Sequence, residues 1–290
     1  MNNHGLDWEK ELKDQSEEDW LAGSSTLTCL ASIPPAQVKE YLPSGEVQIG
    51  REDTKDCASR SVNNILETKF NYLIAHDLIS SETLAWFVKV GFINDTECFE
   101  SSDAWIAINS NTTRQGNSLK APIEAARKHG LIPKKLMPLE SWMTWDDYHN
   151  PKRITPQLIA IGAEFARRIK INYERVAEDD FGRFLKKDLI DVGGFAWPRP
   201  DDKGVYPKTG GQANHAFVVF GEKRYTAFDN YPDSFDGDFI KALASNYDLV
   251  QYGYRILITS EIPNPPQDMW VVDILKNIVE ALKDILKKLR

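Results

Sequence analysis

A chain of 290 residues, 42% hydrophobic and 27% charged, has the composition of an ordinary globular protein, long enough for one large domain or two lobes. Its formal net charge of −8, with no basic patch interleaved with aromatics, argues against a nucleic-acid-binding surface. No run of about 18 apolar residues is present to span a bilayer, and the acidic start MNNHGLDWEKELKDQ lacks the apolar segment of a secretory signal, so a cytoplasmic product is expected.

The three cysteines, Cys29, Cys57 and Cys98, are too few and too irregularly spaced for a disulfide framework or a zinc ribbon. A single Cys29–Cys98 bridge stays open. Residues 1–43 read as an N-terminal extension or pro-segment: a polar, acidic stretch with helical character over Asp7–Trp20, then an extended approach punctuated by Pro34, Pro35 and Pro43. Gly45–Ile49 reads as a short strand.

The stretch that organises the chain follows. Asp56 is a natural N-cap, and Val62, Ile65, Leu66, Phe70 and Leu73 recur at helical spacing, which predicts a long, largely buried helix starting at or beside Cys57. Unpaired N–H groups and the positive end of the helix dipole favour an anion there, so a thiol is drawn toward the thiolate. Asp56 opposes that ionisation, and a cysteine can equally serve as a small apolar filler. A partner histidine must decide.

Ser80–Val90 predicts a second amphipathic helix with a serine cap and Glu82 in its first turn. Phe99–Arg114 reads as polar and irregular around the apolar patch Ala104–Ile108, and Ala121–His129 as a short helix stopped by Gly130. Residues 138–152 look like a loop that packs Trp142, Trp145 and Tyr148. Ile154–Ala177 reads as one long helix and Asp179–Leu189 as a short one, closed by Gly193 and Gly194. Beyond them, Phe195–Trp197, His215–Phe220, Tyr225–Phe228 and Gly253–Ile258 are strand-like runs between turn residues, so a helix-rich first half and a strand-rich second half predict an α+β architecture. After the stiff Pro263–Pro266 linker, Val271, Leu275, Ile278, Leu282, Ile285 and Leu289 recur in steps of four and three. Residues 263–290 are thus a linker and an amphipathic helix, whose mixed charges favour self-association or a protein partner through residues 268–290.

Of five histidines, His215 alone opens an apolar strand, after the Gly-rich loop Thr209–Asn214. The next strand ends at Phe228-Asp229-Asn230, and a hairpin of that length brings Asn230, or alternatively Asp229, beside the imidazole. A nucleophile, a base and a group that orients the base are what covalent acyl transfer requires. A metal site from Cys57, His215 and Asp229 lacks ligand spacing, and no cofactor is implied.

This order, a cysteine at a helix start, a His-Ala-apolar strand and an Asn at the end of the following strand, resembles the papain family of cysteine peptidases over roughly residues 44–262. Gln115-Gly116-Asn117, followed by the helix ending at His129-Gly130-Leu131, is similar to that family's glycine-containing segment. Gly253–Ile256 is similar to its closing strand. More loosely, the whole chain resembles papain-like proteins encoded by phages, which adds a virion to the expected locations. The resemblance implies a helical lobe carrying the cysteine helix, an antiparallel barrel-like lobe and a Cys57–His215–Asn230 triad. It also implies extended substrate along Gly116 and Asn117, and an oxyanion hole from the Cys57 N–H and a glutamine. The family's glutamine position is Arg51 here, leaving Gln48 for the role, and the family's Cys-Trp pair is Cys57-Ala58. Hydrolysis of a polypeptide is the reading. Cleavage of peptidoglycan stem peptides and a catalytically inactive assembly protein are the alternatives.

Overall fold

A helix whose neighbours lie on every side must be apolar or internally paired all round, and α3 (Cys57–Ala75) is both. In the computed structural model, which describes residues 5–14, 21–22, 29–208, 210, 212–221, 225–231, 239–247 and 249–261, every residue from Cys57 to Phe70 is buried. Val62, Ile65, Leu66 and Phe70 fill the core, and each such burial contributes about 1.5–3 kcal/mol. The polar positions find partners inside. Arg60 pairs with Asp56 and Asp103, Lys69 with Asp188, and Asn63 donates to Asp103 and to the Ser101 carbonyl.

Before α3 come α1 (Trp8–Asp14) and the short α2 (Val38–Tyr41). After it, α4 (Ser81–Val90) starts where Ser80 accepts the Thr83 N–H at 3.2 Å and stops at Gly91, whose φ of 99° is left-handed. The patch inside the stretch read as irregular is itself a helix, α5 (Asp103–Asn109), capped by Ser102. Then come α6 (Lys120–His129), ended at Gly130, and α7 (Trp145–Tyr148), which the reading as a loop missed. Phe70, Phe87, Phe92, Phe99 and Phe165 lock this lobe together. Phe92 and Phe99 stack at 5.0 Å, and Phe70 and Phe99 at 4.5 Å.

The long helix expected over 154–177 divides. Thr155 caps α8 (Pro156–Arg168), and the chain then passes straight into strand β1 (Ile169–Ala177). Ile169, Ile171, Tyr173 and Val176 favour a pleated surface, and β1 pairs along its whole length with β7 (Leu249–Glu261), which overrides the helical reading. The segment after it holds a 3₁₀ turn, Glu178–Asp180, and the short α9 (Phe181–Phe184), and the glycines expected to close that helix end strand β2 (Ile190–Gly194) instead. β3 (Val205–Tyr206), β4 (His215–Phe220), β5 (Thr226–Phe228) and β6 (Ile240–Leu243) complete a seven-stranded sheet in the order β1-β7-β2-β4-β5-β6-β3, antiparallel except between β3 and β6. Phe195–Trp197 and Gly45–Ile49 are extended chain and not strands of this sheet.

β4 is buried on both faces. Ala216, Val218 and Phe220 join the core shared with α3, while Phe217 and Val219 face a second core of Phe181, Phe184, Val192, Tyr206 and Leu243. The first turn of α3 therefore meets the first residues of β4 inside the protein, where Cys57 and His215 are both buried. All three cysteines are free thiols. The amphipathic segment read over 263–290 lies outside the described residues, and among those no helix is long and apolar enough to cross a membrane.

Candidate active site

Cys57 is the first residue of α3 and 1% exposed. Its Sγ accepts the backbone N–H of Ala216, the second residue of β4, at 3.3 Å, which ties the start of the helix to the start of the strand. Asp56 stands at the N-cap position without capping. Its carboxylate instead takes Arg60 Nε at 3.0 Å and the Tyr148 and Thr54 hydroxyls. The helix-start charge is thus paired with a guanidinium one turn along the same helix.

His215 is fully buried at the head of β4, and its Nε2 lies 2.6 Å from Asp229 Oδ1. Asp229, just beyond β5, gathers four donors. Oδ1 also accepts the Asn230 N–H at 2.7 Å, while Oδ2 accepts the Trp197 indole N–H and lies 3.3 Å from Lys241 Nζ. Burial works toward a neutral carboxyl, but His215, Lys241 and Trp197 together hold Asp229 down at about 2. Trp197 and Tyr231 meet the imidazole edge-on at 6.0 and 5.3 Å.

Asn230, the first-choice orienting residue of the sequence reading, has its carboxamide elsewhere. Its oxygen accepts from Asn64 Nδ2 and its nitrogen donates to the Glu46 carbonyl, each at 2.8 Å, so Asp229 is the side chain at Nε2. The reason is local. Asp229 and Asn230 follow the end of β5 in succession and point to different sides, and β4–β5 pairing turns Asp229 toward the ring. Gln48 is buried, with Nε2 donating to Asp53 Oδ1 at 3.0 Å and its backbone N–H to the Asn230 carbonyl. Asp53 also accepts the Lys55 N–H and the Tyr231 hydroxyl, bonds that hold it below the usual carboxylate range although burial opposes them.

Gly116 and Asn117 carry a different occupant from the one expected. The Asn117 N–H donates to the Gly5 carbonyl and the Asp7 N–H to the Asn117 carbonyl, both at 2.9 Å, a parallel bridge centred on Leu6. The Leu6 N–H reaches the carbonyl of Asn214, the residue before His215. Gly116 has φ of 103°, and a Cβ there would lie 1.9 Å from the Gly5 oxygen, so glycine is what lets the segment approach. The Leu6 side chain is 2% exposed and lies over Gly193, where a Cβ would come within 2.7 Å of it. Glu11 of α1 fastens the other end, accepting the Leu119 N–H and the Tyr252 hydroxyl.

Burial is the main force that pushes the Cys57 thiol well above its usual value. The Ala216 N–H works against it, and the carboxylates of Asp56, Asp53 and Asp229 add to it. Trp197 and Lys241 escaped the sequence reading. The signal for Lys241 is a lysine inside the apolar run Phe239–Leu243; Trp197, in extended chain after β2, carries none.

No protein-family model and no curated protein matches this chain. Among solved structures it is similar to xylellain, a cysteine protease from Xylella fastidiosa, with 12% identity and a TM-score of 0.51 over 83% of this chain and 96% of that one. It is likewise similar to the cysteine protease Amb a 11, a ragweed pollen allergen, in its proform, with 12% identity and a TM-score of 0.50 over 88% and 74% of the two chains. The cysteine protease and lectin-like domains of Cwp84, a surface layer associated protein of Clostridium difficile, give 11% identity and a TM-score of 0.51 over 88% and 55%. The fold is that of the papain-like cysteine proteases.

Proposed function

We propose that this chain is a thiol-dependent peptide hydrolase held latent by its own N-terminal segment. The observation that carries the reading is the junction of α3 and β4, where the helix-start thiol of Cys57 meets the strand headed by His215, itself held at Nε2 by Asp229. In the reaction His215 takes the thiol proton, and the Cys57 thiolate attacks the peptide carbonyl. The tetrahedral intermediate collapses as His215 returns the proton to the leaving amine, and His215 then activates the water that releases the acid. Asp229 fixes the ring's rotamer and tautomer throughout. The Cys57 N–H, at the positive end of α3, is one oxyanion donor, and Gln48 becomes the second when the substrate's carbonyl replaces Asp53 as its acceptor. Extended substrate lies along Gly116 and Asn117.

Residues 5–14 supply the latency. Leu6 lies in the same buried cluster as Cys57 and Ala216, and the segment uses the backbone groups of Asn117 and Asn214 that a substrate would need. A thiol covered in this way is held neutral by burial, so removing the cover lowers the barrier to ionisation.

The test is the rate of Cys57 alkylation by iodoacetamide against pH, read by mass spectrometry, in the full chain, in Leu6→Asp and in Leu6→Asp/His215→Ala. The charged side chain cannot occupy the Leu6 position, so Leu6→Asp reacts at least about 10-fold faster and retains reactivity below the free-thiol value of about 8.5. The double variant loses that low-pH reactivity. A thiol that reacts only at alkaline pH in every variant overturns the hydrolase reading. Equal rates in the parent and Leu6→Asp overturn the latency. Casein and purified peptidoglycan, offered to Leu6→Asp, then separate general peptide hydrolysis from stem-peptide cleavage.

A further inference from the structure

We propose that Asp229 and Lys241 act as one electrically neutral orienting unit for His215, the Lys241 ammonium cancelling the charge that a lone carboxylate would impose on the thiol and imidazole. This inference rests on the hydrolase reading above.

A neutral amide at Nε2 orients an imidazole without adding charge. A buried carboxylate in the same place holds the ring equally well, but its field favours the imidazolium and opposes the thiolate. This chain has the carboxylate and, 3.3 Å from its second oxygen, a lysine that is itself 2% exposed. Burying an ammonium is costly unless it is paired. Lys241 is placed by the sheet: it sits opposite Ala227 on β5, and the Asp229 N–H donates to the Phe239 carbonyl, which brings β6 alongside the end of β5. From there Nζ donates to the Tyr231 carbonyl and stands 5.1 Å over the Trp197 ring. The ammonium is therefore held by three partners, at the carboxylate oxygen that the imidazole does not use.

The surroundings follow the same rule. Three carboxylates act on Cys57, and each has a cation beside it: Asp53 has Lys55 at 3.1 Å, Asp56 has Arg60, shared with Asp103, at 3.0 Å, and Asp229 has Lys241 at 3.3 Å. The first two cations come from the segment and helix that carry the cysteine, and Tyr231 adds a hydroxyl on Asp53. Of these three carboxylates, Asp229 is the one hydrogen-bonded to His215, so its cation bears most directly on the ring. Lys241 is a positioning residue, acting through Asp229 and never on substrate.

The experiment follows the pH at which the His215 ring resonances change, by NMR on the full chain with ring-labelled histidine, in the parent, Lys241→Met, Asp229→Asn and Asp229→Asn/Lys241→Met. Without the ammonium the carboxylate acts alone, and the midpoint moves up by about one pH unit or more. Asp229→Asn leaves the ammonium alone and moves it down by a similar amount. The double variant, neutral again, returns to within about half a unit of the parent, and because it buries no unpaired charge it reads the effect of Lys241 even where Lys241→Met does not fold. A merely structural pair would change stability and leave these midpoints in place. Midpoints that are indifferent to Lys241 overturn the inference while the alkylation result stands. A Cys57 whose reactivity ignores His215 overturns the hydrolase reading, and this inference with it.

Discussion

The two sides of the candidate site are built by different kinds of information. On the helical side, most of what places Cys57 lies close to it in the chain, namely the first turn of α3, Asp56 beside it, and Arg60 one turn on, which pairs with Asp56 at i,i+4, while Tyr148 and the Ala216 N–H are the distant partners. On the sheet side, His215 is placed by strand pairing, and its orienting group depends on three segments that meet only in the folded sheet: Trp197 after β2, Asp229 after β5 and Lys241 on β6. The Cys57 side is positioned largely by local code. The His215 side is positioned by convergence, so its supporting residues are encoded far from it and from one another.

The contrast has energetic consequences, and the largest is expected on the helical side. Arg60 is wholly buried and lies 3.0 Å from both Asp56 and Asp103. Arg60→Met leaves those carboxylates unpaired, which should cost about 3–5 kcal/mol in urea unfolding. The equivalent change on the sheet side, Lys241→Met, strands one carboxylate that keeps three other donors and should cost less. If the two variants lose equal stability, the helical side is not the one that carries the structural load.

The same two sides should respond oppositely to pH. Asp229, on the sheet side, is held at about 2, below the unfolded value of about 4. Its contribution is present above pH 4 and lost as the pH falls from about 4 toward 2, by about 2 kcal/mol. Asp103, at the first turn of α5, is pushed up to about 7 by burial, which Glu46 and Asp56 reinforce and Arg60 opposes. Its folded form binds the proton more tightly than the unfolded chain does, so its contribution shrinks as the pH rises from about 4 to 7. Urea midpoints from pH 2 to 8, taken as parent minus variant, should rise with pH between about 2 and 4 for Asp229→Asn and fall between about 4 and 7 for Asp103→Asn. Slopes of the same sign would remove the distinction between the two sides.

What the sequence made legible follows the same division. The α+β class, the helix that begins at Cys57 and the strand headed by His215 were readable because a 3.6-residue period and an unbroken apolar run are local signals. The choice between Asn230 and Asp229 was not, since adjacent residues differ only in which way pairing with β4 turns them. The division of residues 154–177 into α8 and β1 was hidden too. Ile169 continues the helical spacing of Leu158, Ile161 and Phe165, the alternation of Ile169, Ile171 and Tyr173 is broken at Val176, and the pairing partner, β7, lies about 80 residues later in the register Tyr173 opposite Ile256. Lys241 stands out in sequence only as a lysine inside the apolar run Phe239–Leu243, and the carboxylate it pairs with, Asp229, is placed by another strand.

The smallest expected effect tests whether stability and chemistry can be separated at all on the helical side. Ser80 caps α4, where its side-chain oxygen accepts the Thr83 N–H at 3.2 Å, and the helix it starts packs Phe87 into the aromatic cluster with Phe70 of α3. Ser80→Ala removes one cap and should lower stability by about 1 kcal/mol. Because α3 is held at its N-terminal end by Asp56, Arg60 and Tyr148, whereas Phe70 lies toward the other end, the loss should stay remote from the thiol. In the Leu6→Asp background, Cys57 alkylation should therefore keep its rate and its pH midpoint. A change in either would mean that the packing of α4 reaches the first turn of α3 through the helix itself, and that the local code of the nucleophile extends over the whole lobe.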